Sequence, residues 1–176
     1  FGDKQSLFLA CVRHSLELLD ATLREAVPEG ADAETSIRAL VPALIAAARQ
    51  HGNYNVLYNE ITSGSCREFA PELAREIESR TAQLYTRLFE TAKEAGVLAP
   101  GLAPEAAAFF FDNLLMMLQF SYSCDYYQHR MRLYCGENAA WNDEMMADQL
   151  TRFLLGAMRG EGSCNISLPT TSEPPA

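Results

Sequence analysis

Ala106 to Phe120 reads AAAFFFDNLLMMLQF, fifteen residues interrupted by polar groups only at Asp112, Asn113 and Gln119. Pro104, two residues upstream, is a favoured first residue of a helix, because its missing N–H would have no intrahelical partner there. The predicted helix could run about 30 residues to Cys135, where Gly136 ends it. A helix apolar around most of its circumference must be covered on most sides. In a chain of 176 residues, enough for one well-formed domain, one face can be covered by the chain's own core. Covering the other usually takes a second chain, so a symmetric dimer is expected.

Outward from this stretch the signals are helical throughout. A first helix from Lys4 to Ala26, capped by Asp3, carries Leu7, Phe8, Cys11, Leu18, Leu19 and Leu23 and ends at Pro28-Glu29-Gly30. Asp32 caps a second, with Ile37, Leu40, Val41, Leu44, Ile45 and Ala48, a kink expected at Pro42, and a stop at Gly52. A short third follows Asn53 through Tyr54, Leu57, Tyr58 and Ile61 to Ser63-Gly64. Pro71 opens a fourth, whose stripe Leu73, Ile77, Thr81, Leu84, Leu88 and Ala92 recurs at three- and four-residue steps up to Gly96. After the fifth, Asn142 caps a sixth helix with acids in its first turn and Trp141 stapling Met146, ending at Gly160. Residues 161–176, EGSCNISLPTTSEPPA, lack apolar periodicity and read as a tail. No strand alternation or hairpin turn is present, so the fold class is all-α with six helices and no internal repeat.

Composition narrows the chemistry. Hydrophobic residues make up 48% and charged residues 21%, an ordinary globular balance. No run approaches the ~18 apolar residues of a membrane span. A cytoplasmic protein with no membrane partner is the expectation. The five cysteines are widely spaced with no CxxC pair, which reads as free thiols. The net charge of −9, with 14 scattered basic residues, argues against this polypeptide gripping a nucleic-acid backbone by itself. Cys11 with His14, and Asp125 with His129, have helical metal-ligand spacing, but two ligands do not make a zinc site, and neither metal nor cofactor is expected. Cys124 with His129 lacks the orienting group and oxyanion donor of a nucleophile–base pair, so no enzyme is predicted. Inward Glu-x-x-His pairs of a di-metal bundle are absent. Redox sensing by Cys124 or Cys135 would need an exposed thiol of lowered pKa.

The fifth helix divides into two stripes. Phe109, Asn113, Met116, Phe120, Cys124 and Tyr127 share one, and Phe111, Leu115, Leu118, Tyr122 and Asp125 lie roughly opposite. Rings and methionines interleaved with polar groups suit an adaptable small-molecule cavity, although core and interface together would produce the same pattern. The sixth helix adds Met145, Met146, Leu150, Phe153, Leu154 and Met158, an apolar face larger than a terminal helix needs.

The opening FGDKQSLFLACV closely resembles the segment by which tetracycline-repressor (TetR) family regulators leave the DNA-recognition helix and enter the helix linking their two domains. Phe1, Gly2, Lys4 and Leu7 match it, with Asp3 in place of the common Ser cap. Pro71-Glu72-Leu73, the connector KEAGVLAPGLAPEAAA from Lys93 to Ala108, and the ending LLGAMRG are similar to the family as well. The likeness spans roughly Phe1 to Gly160. It implies that residues 1–10 are the remnant of a DNA-binding domain and the start of a linking helix, that residues 11–160 form a ligand-binding and dimerisation domain, and that residues 161–176 are a flexible tail. A helix-turn-helix head would precede Phe1 and hold operator DNA, with Leu7, Phe8 and Cys11 at its junction.

In that family an effector shifts the linking helix and so the spacing of the two heads. The implied pocket walls are Leu44 and Ala48; Tyr85, Leu88 and Phe89; and Phe109, Asn113, Met116, Met117 and Phe120, with Tyr58 and His14 at the edges. Asn113, Tyr85 and His14 would orient a small apolar or aromatic effector, and Asp112 leaves a cation open. The homodimer would use Phe111, Leu115, Leu118, Tyr122, Met146, Leu150, Phe153, Leu154 and Met158. A helical dimerisation module without ligand, or a cysteine redox sensor, are the competing readings.

Overall fold

The computed structural model describes residues 4–28, 30–60, 70–139 and 142–160. Seven helices follow in order: α1 Lys4–Ala26, α2 Ala33–Gln50, α3 Gly52–Glu60, α4 Ala70–Glu94, α5 Pro104–Ser123, α6 Asp125–Cys135 and α7 Asp143–Arg159. Among the described residues there is no strand, as the periodicity predicts. The Asp3 cap, the Trp141 staple, the end of α3 at Ser63-Gly64 and the tail lie outside the described residues.

Helix starts follow local chemistry. The Asp32 carboxylate accepts from Thr35 N–H at 2.8 Å. That bond holds its pKa below the usual carboxylate value. Asn142 Oδ1 accepts from Met145 N–H at 3.0 Å, closing the first turn of α7. At the far end of α7, Gly160 takes the left-handed conformation at φ 58°, which suits a residue without a Cβ. A Cβ there would meet Ala99 Cβ at 2.7 Å. Ala99 N–H donates to the Met158 carbonyl at 2.7 Å, so this tight approach ties the α4–α5 connection to the end of α7.

The expected 30-residue helix is two helices, which makes seven among the described residues rather than six. The chain turns extended at Cys124, φ −111° and ψ 127°. Contacts outside the helix account for the break. Ser123 Oγ accepts from Asn55 Nδ2 at 2.9 Å and donates to the Ala48 carbonyl at 3.4 Å. Gln128 Nε2 donates to the Tyr122 carbonyl that the break leaves open. Pro42, in contrast, sits on the exposed side of an α2 that continues to Gln50.

The core gathers around α2 and α5. Ile37, Leu40, Val41 and Leu44 of α2, Phe111 and Leu115 of α5, Tyr85 and Phe89 of α4, and Leu154, Leu155 and Met158 of α7 are all buried in one cluster. Phe111 meets Tyr85 edge to face at 4.9 Å and Phe89 at 5.6 Å. Aromatic quadrupoles favour this orientation. Full burial of a side chain of this size contributes about 1.5–3 kcal/mol from transfer alone. Helices α1, α3 and α4 close the other side of α5 less completely.

Candidate functional site: an acid-lined cavity between α1, α3, α4 and α5

That looser side borders a partly open cavity of about 90 Å³. Helix α1 gives it Ser15, Leu16, Leu18, Leu19 and Thr22; Ala47 and His51 stand at the end of α2; and α3 contributes Tyr54, Asn55 and Tyr58. Glu78 and Thr81 enter from α4, and Asp112, Met116, Gln119 and Phe120 from α5. Each set is one helical stripe, since 78 and 81, or 112, 116, 119 and 120, fall on one face of a helix.

A larger cleft of about 930 Å³ opens between α1, the start of α2 and α4. Its apolar floor includes Leu23, Leu40, Leu84 and Leu88, and its rim carries Arg13, Arg24, Arg80 and Arg87 with Glu17 and Asp20. Arg24 and Arg80 both pair with Asp20, at 2.5 and 3.4 Å. Leu16, Leu19 and Thr81 line both spaces, so a thin wall of α1 and α4 side chains separates them.

Electrostatics mark the small cavity. Burial, reinforced by the negative charge of Glu78, pushes the Asp112 carboxyl up to about 6. The Tyr58 hydroxyl donates to Glu78 Oε1, and burial raises its pKa above the usual phenol value. Tyr85 is raised for the same reason, with Asp112 and Glu78 adding to it. The Tyr58 ring packs on Phe120 at 5.9 Å, and Phe120 on Tyr127 at 5.5 Å. Among the described residues no Lys or Arg lines this space, and His51 is the one lining side chain that can carry positive charge.

Of the residues expected at a pocket, Tyr58, Met116 and Phe120 line the small cavity and Leu88 lines the cleft. Leu44, Ala48, Tyr85 and Phe89 are in the close-packed core, and Met117 is half-buried. His14 is exposed, 3.7 Å from Glu17 and edge-on to the Tyr54 ring. Asn113 Nδ2 donates to the Phe109 carbonyl of its own helix at 2.7 Å, and Phe109 is 65% exposed.

The two stripes of α5 therefore differ in exposure from the order expected. Phe111, Leu115 and Tyr122, expected to meet a partner, are buried within the chain, as are Leu154 and Met158 of α7, because α2 and α4 pack on that side. Leu118, Met146 and Leu150 are half-buried. On α5 and α7 the exposed apolar side chains are Phe109, Phe110, Leu114, Met145 and Phe153, with Phe153 62% exposed, while Tyr126, Leu133 and Tyr134 of α6 are more exposed still.

Glu78, Asp112, Thr81, Leu16 and Leu19 are absent from the expected pocket walls. Glu78 and Thr81 had a usable signal, since 78, 81, 85 and 88 form one stripe in which a carboxylate and a hydroxyl interrupt apolar positions. Cys124 is buried and its thiol pKa is pushed up by that burial, while Cys11 and Cys135 are exposed. Among the described residues no group of three or more His, Cys, Asp or Glu could hold a metal ion, and no helix is long and apolar enough to cross a membrane. Comparison with protein-family models, with curated proteins and with solved structures returned no match.

Proposed function

We propose that this chain is the effector-binding and dimerisation part of a ligand-responsive, DNA-binding transcription repressor of the tetracycline-repressor type. The supporting observation is that α1 walls both the acid-lined cavity and the adjoining cleft. By the resemblance of its opening residues, α1 is the helix that would carry a DNA-reading head. An occupant that separates α1 from α4 or α5 would tilt that helix, and a ligand shifts such an equilibrium only by its preference for one arrangement. Shifts of a few Å between heads are enough to spoil docking on half-sites about 34–36 Å apart. A dimerisation module without ligand would have no use for the cleft of about 930 Å³. That volume is within the size range of small-molecule sites.

The homodimer is proposed on the exposed face of α5 and α7, with Phe109, Phe110, Leu114 and Phe153 at its centre. That apolar area, left open by the chain's own packing, is what a partner would cover. Sedimentation equilibrium is expected to give twice the chain mass of 19.5 kDa. Phe109→Asp combined with Phe153→Asp is expected to give one chain mass. The regulatory half is tested on the polypeptide extended N-terminally from Phe1. A basic helix-turn-helix that protects a two-fold operator in footprinting, with α1 cross-linked to α4 abolishing effector release, is the expected outcome. An N-terminal extension with no DNA affinity would remove the regulator reading.

A further inference from the structure

Two independent features of the small cavity converge on the charge of its occupant. Glu78 and Asp112 come from different helices into a space that no described Lys or Arg lines, and the four nearby arginines line the outer cleft, two of them held by Asp20. Burying carboxylates without a cation is costly, so an incoming positive charge would be stabilised there more than in water. Thr81 lines the same cavity and is buried. The Tyr58 and Phe120 rings stand in the wall beside the acids, and ring faces attract organic ammonium groups.

We infer that the central cavity takes a small organic monocation, an ammonium with apolar or aromatic substituents, held between Glu78 and Asp112 against Tyr58 and Phe120. This rests on reading the cavity as the effector site. Size divides the molecule: the ammonium head fits the space of about 90 Å³, and Leu16, Leu19 and Thr81, which line both spaces, move aside for an apolar substituent to reach the leucine floor of the cleft. The bond from Tyr58 to Glu78 orients that carboxylate. Asp112, which no described arginine or lysine faces across the cavity, supplies the selectivity for charge.

The test is calorimetric titration of the full chain at pH 7.5 with benzyltrimethylammonium, its neutral carbon isostere neopentylbenzene, and the anion phenylacetate. The cation is expected to bind, the isostere at least about 10-fold more weakly, and the anion not at all. Asp112→Asn and Glu78→Gln are each expected to weaken the cation about 10-fold or more while the melting temperature is maintained or raised. Binding should also weaken from pH 7.5 to 5. The titratable groups facing Asp112 are Glu78 and Tyr85 of α4, Tyr54 and Tyr58 of α3, and His51, with none from the described part of α1. A pH dependence that persists in His51→Gln therefore belongs to the carboxylates. Should Asp112→Asn fail to fold, Glu78→Gln and the pH profile carry the test. Equal binding of cation and isostere, or full cation affinity in both variants, overturns the charge assignment and leaves an effector site. Binding of none of the three probes overturns the monocation as well.

Discussion

One face of α5 is packed dry and another borders open space. On the first, Phe111 and Leu115 are buried against α2 and α4 in the main apolar cluster. On the second, one residue further along, Asp112 shares a cavity with Glu78, Met116 and Phe120. The same 20-residue helix thus supplies stability on one side and places a charged, under-packed site on the other. Neighbouring side chains set the difference, because α2 and the part of α4 carrying Tyr85 and Phe89 meet Phe111 with buried apolar groups, whereas α3 and the earlier part of α4 present Tyr58, Glu78 and Thr81.

The largest expected effect breaks the packed side. Phe111 is a ring held by two aromatic neighbours. Its replacement, Phe111→Ala, should cost about 3–5 kcal/mol in urea denaturation. Met116 lies on the cavity side, where part of its surroundings is already open. Met116→Ala should therefore cost only about 1 kcal/mol. Equal losses at the two positions would erase the contrast.

Asp112→Asn sharpens it with the opposite sign. The folded-state pKa of about 6 lies above the ordinary value of 3.8, so the ionised carboxylate opposes folding. Its unfavourable contribution is absent below pH 3.8, grows as pH rises to about 6, and is complete above that. The asparagine variant is expected to be about 2 kcal/mol more stable at pH 8 and equal to the parent near pH 4, as read by thermal melts across that range. Because Glu78 is one cause of the raised Asp112 pKa, the double variant with Glu78→Gln should gain less than the sum of the two singles.

Smaller effects lie at the edges of the packed side. Asn142 caps α7 through Met145 N–H, and Asn142→Ala opens that first turn. The loss should be about 1 kcal/mol, read by urea denaturation. Arg49 donates to Asp143 at 2.7 Å and stacks over the Tyr122 ring at 4.5 Å, linking α2 to α7 on the partly exposed surface. Asp143→Asn should cost about 0.5 kcal/mol, declining in roughly 1 M salt.

Much of this architecture is legible in the chain. Asp32, Pro104 and Asn142 announce helix starts because caps and first-turn prolines act locally, and the all-α class follows from three- and four-residue periodicity. The break at Cys124 is not legible, since Ser123 is held by Asn55 and Ala48, residues 68 and 75 positions away. Nor is the facing of α5: both of its stripes are apolar, and only the placement of α2 and α4 decides that Phe111 turns inward and Phe109 stays exposed. The candidate site lies in the same blind spot. Met116, Phe120 and Tyr58 could be anticipated as ring and methionine walls, and the stripe through 78, 81, 85 and 88 marks Glu78 as a carboxylate among apolar positions, but only the placement of α5 brings Asp112 to the same space.

We propose that the looser side of the molecule, rather than its exposed apolar face, receives the ligand. Methyl-detected NMR of the chain titrated with benzyltrimethylammonium tests it directly, because Leu16, Leu19, Thr81 and Met116 carry methyl groups around the cavity and Leu114 and Met145 carry them on the exposed face. Shifts confined to the first set, and lost in Asp112→Asn, are the predicted result. Shifts confined to Leu114 and Met145, or unchanged by Asp112→Asn, would contradict it.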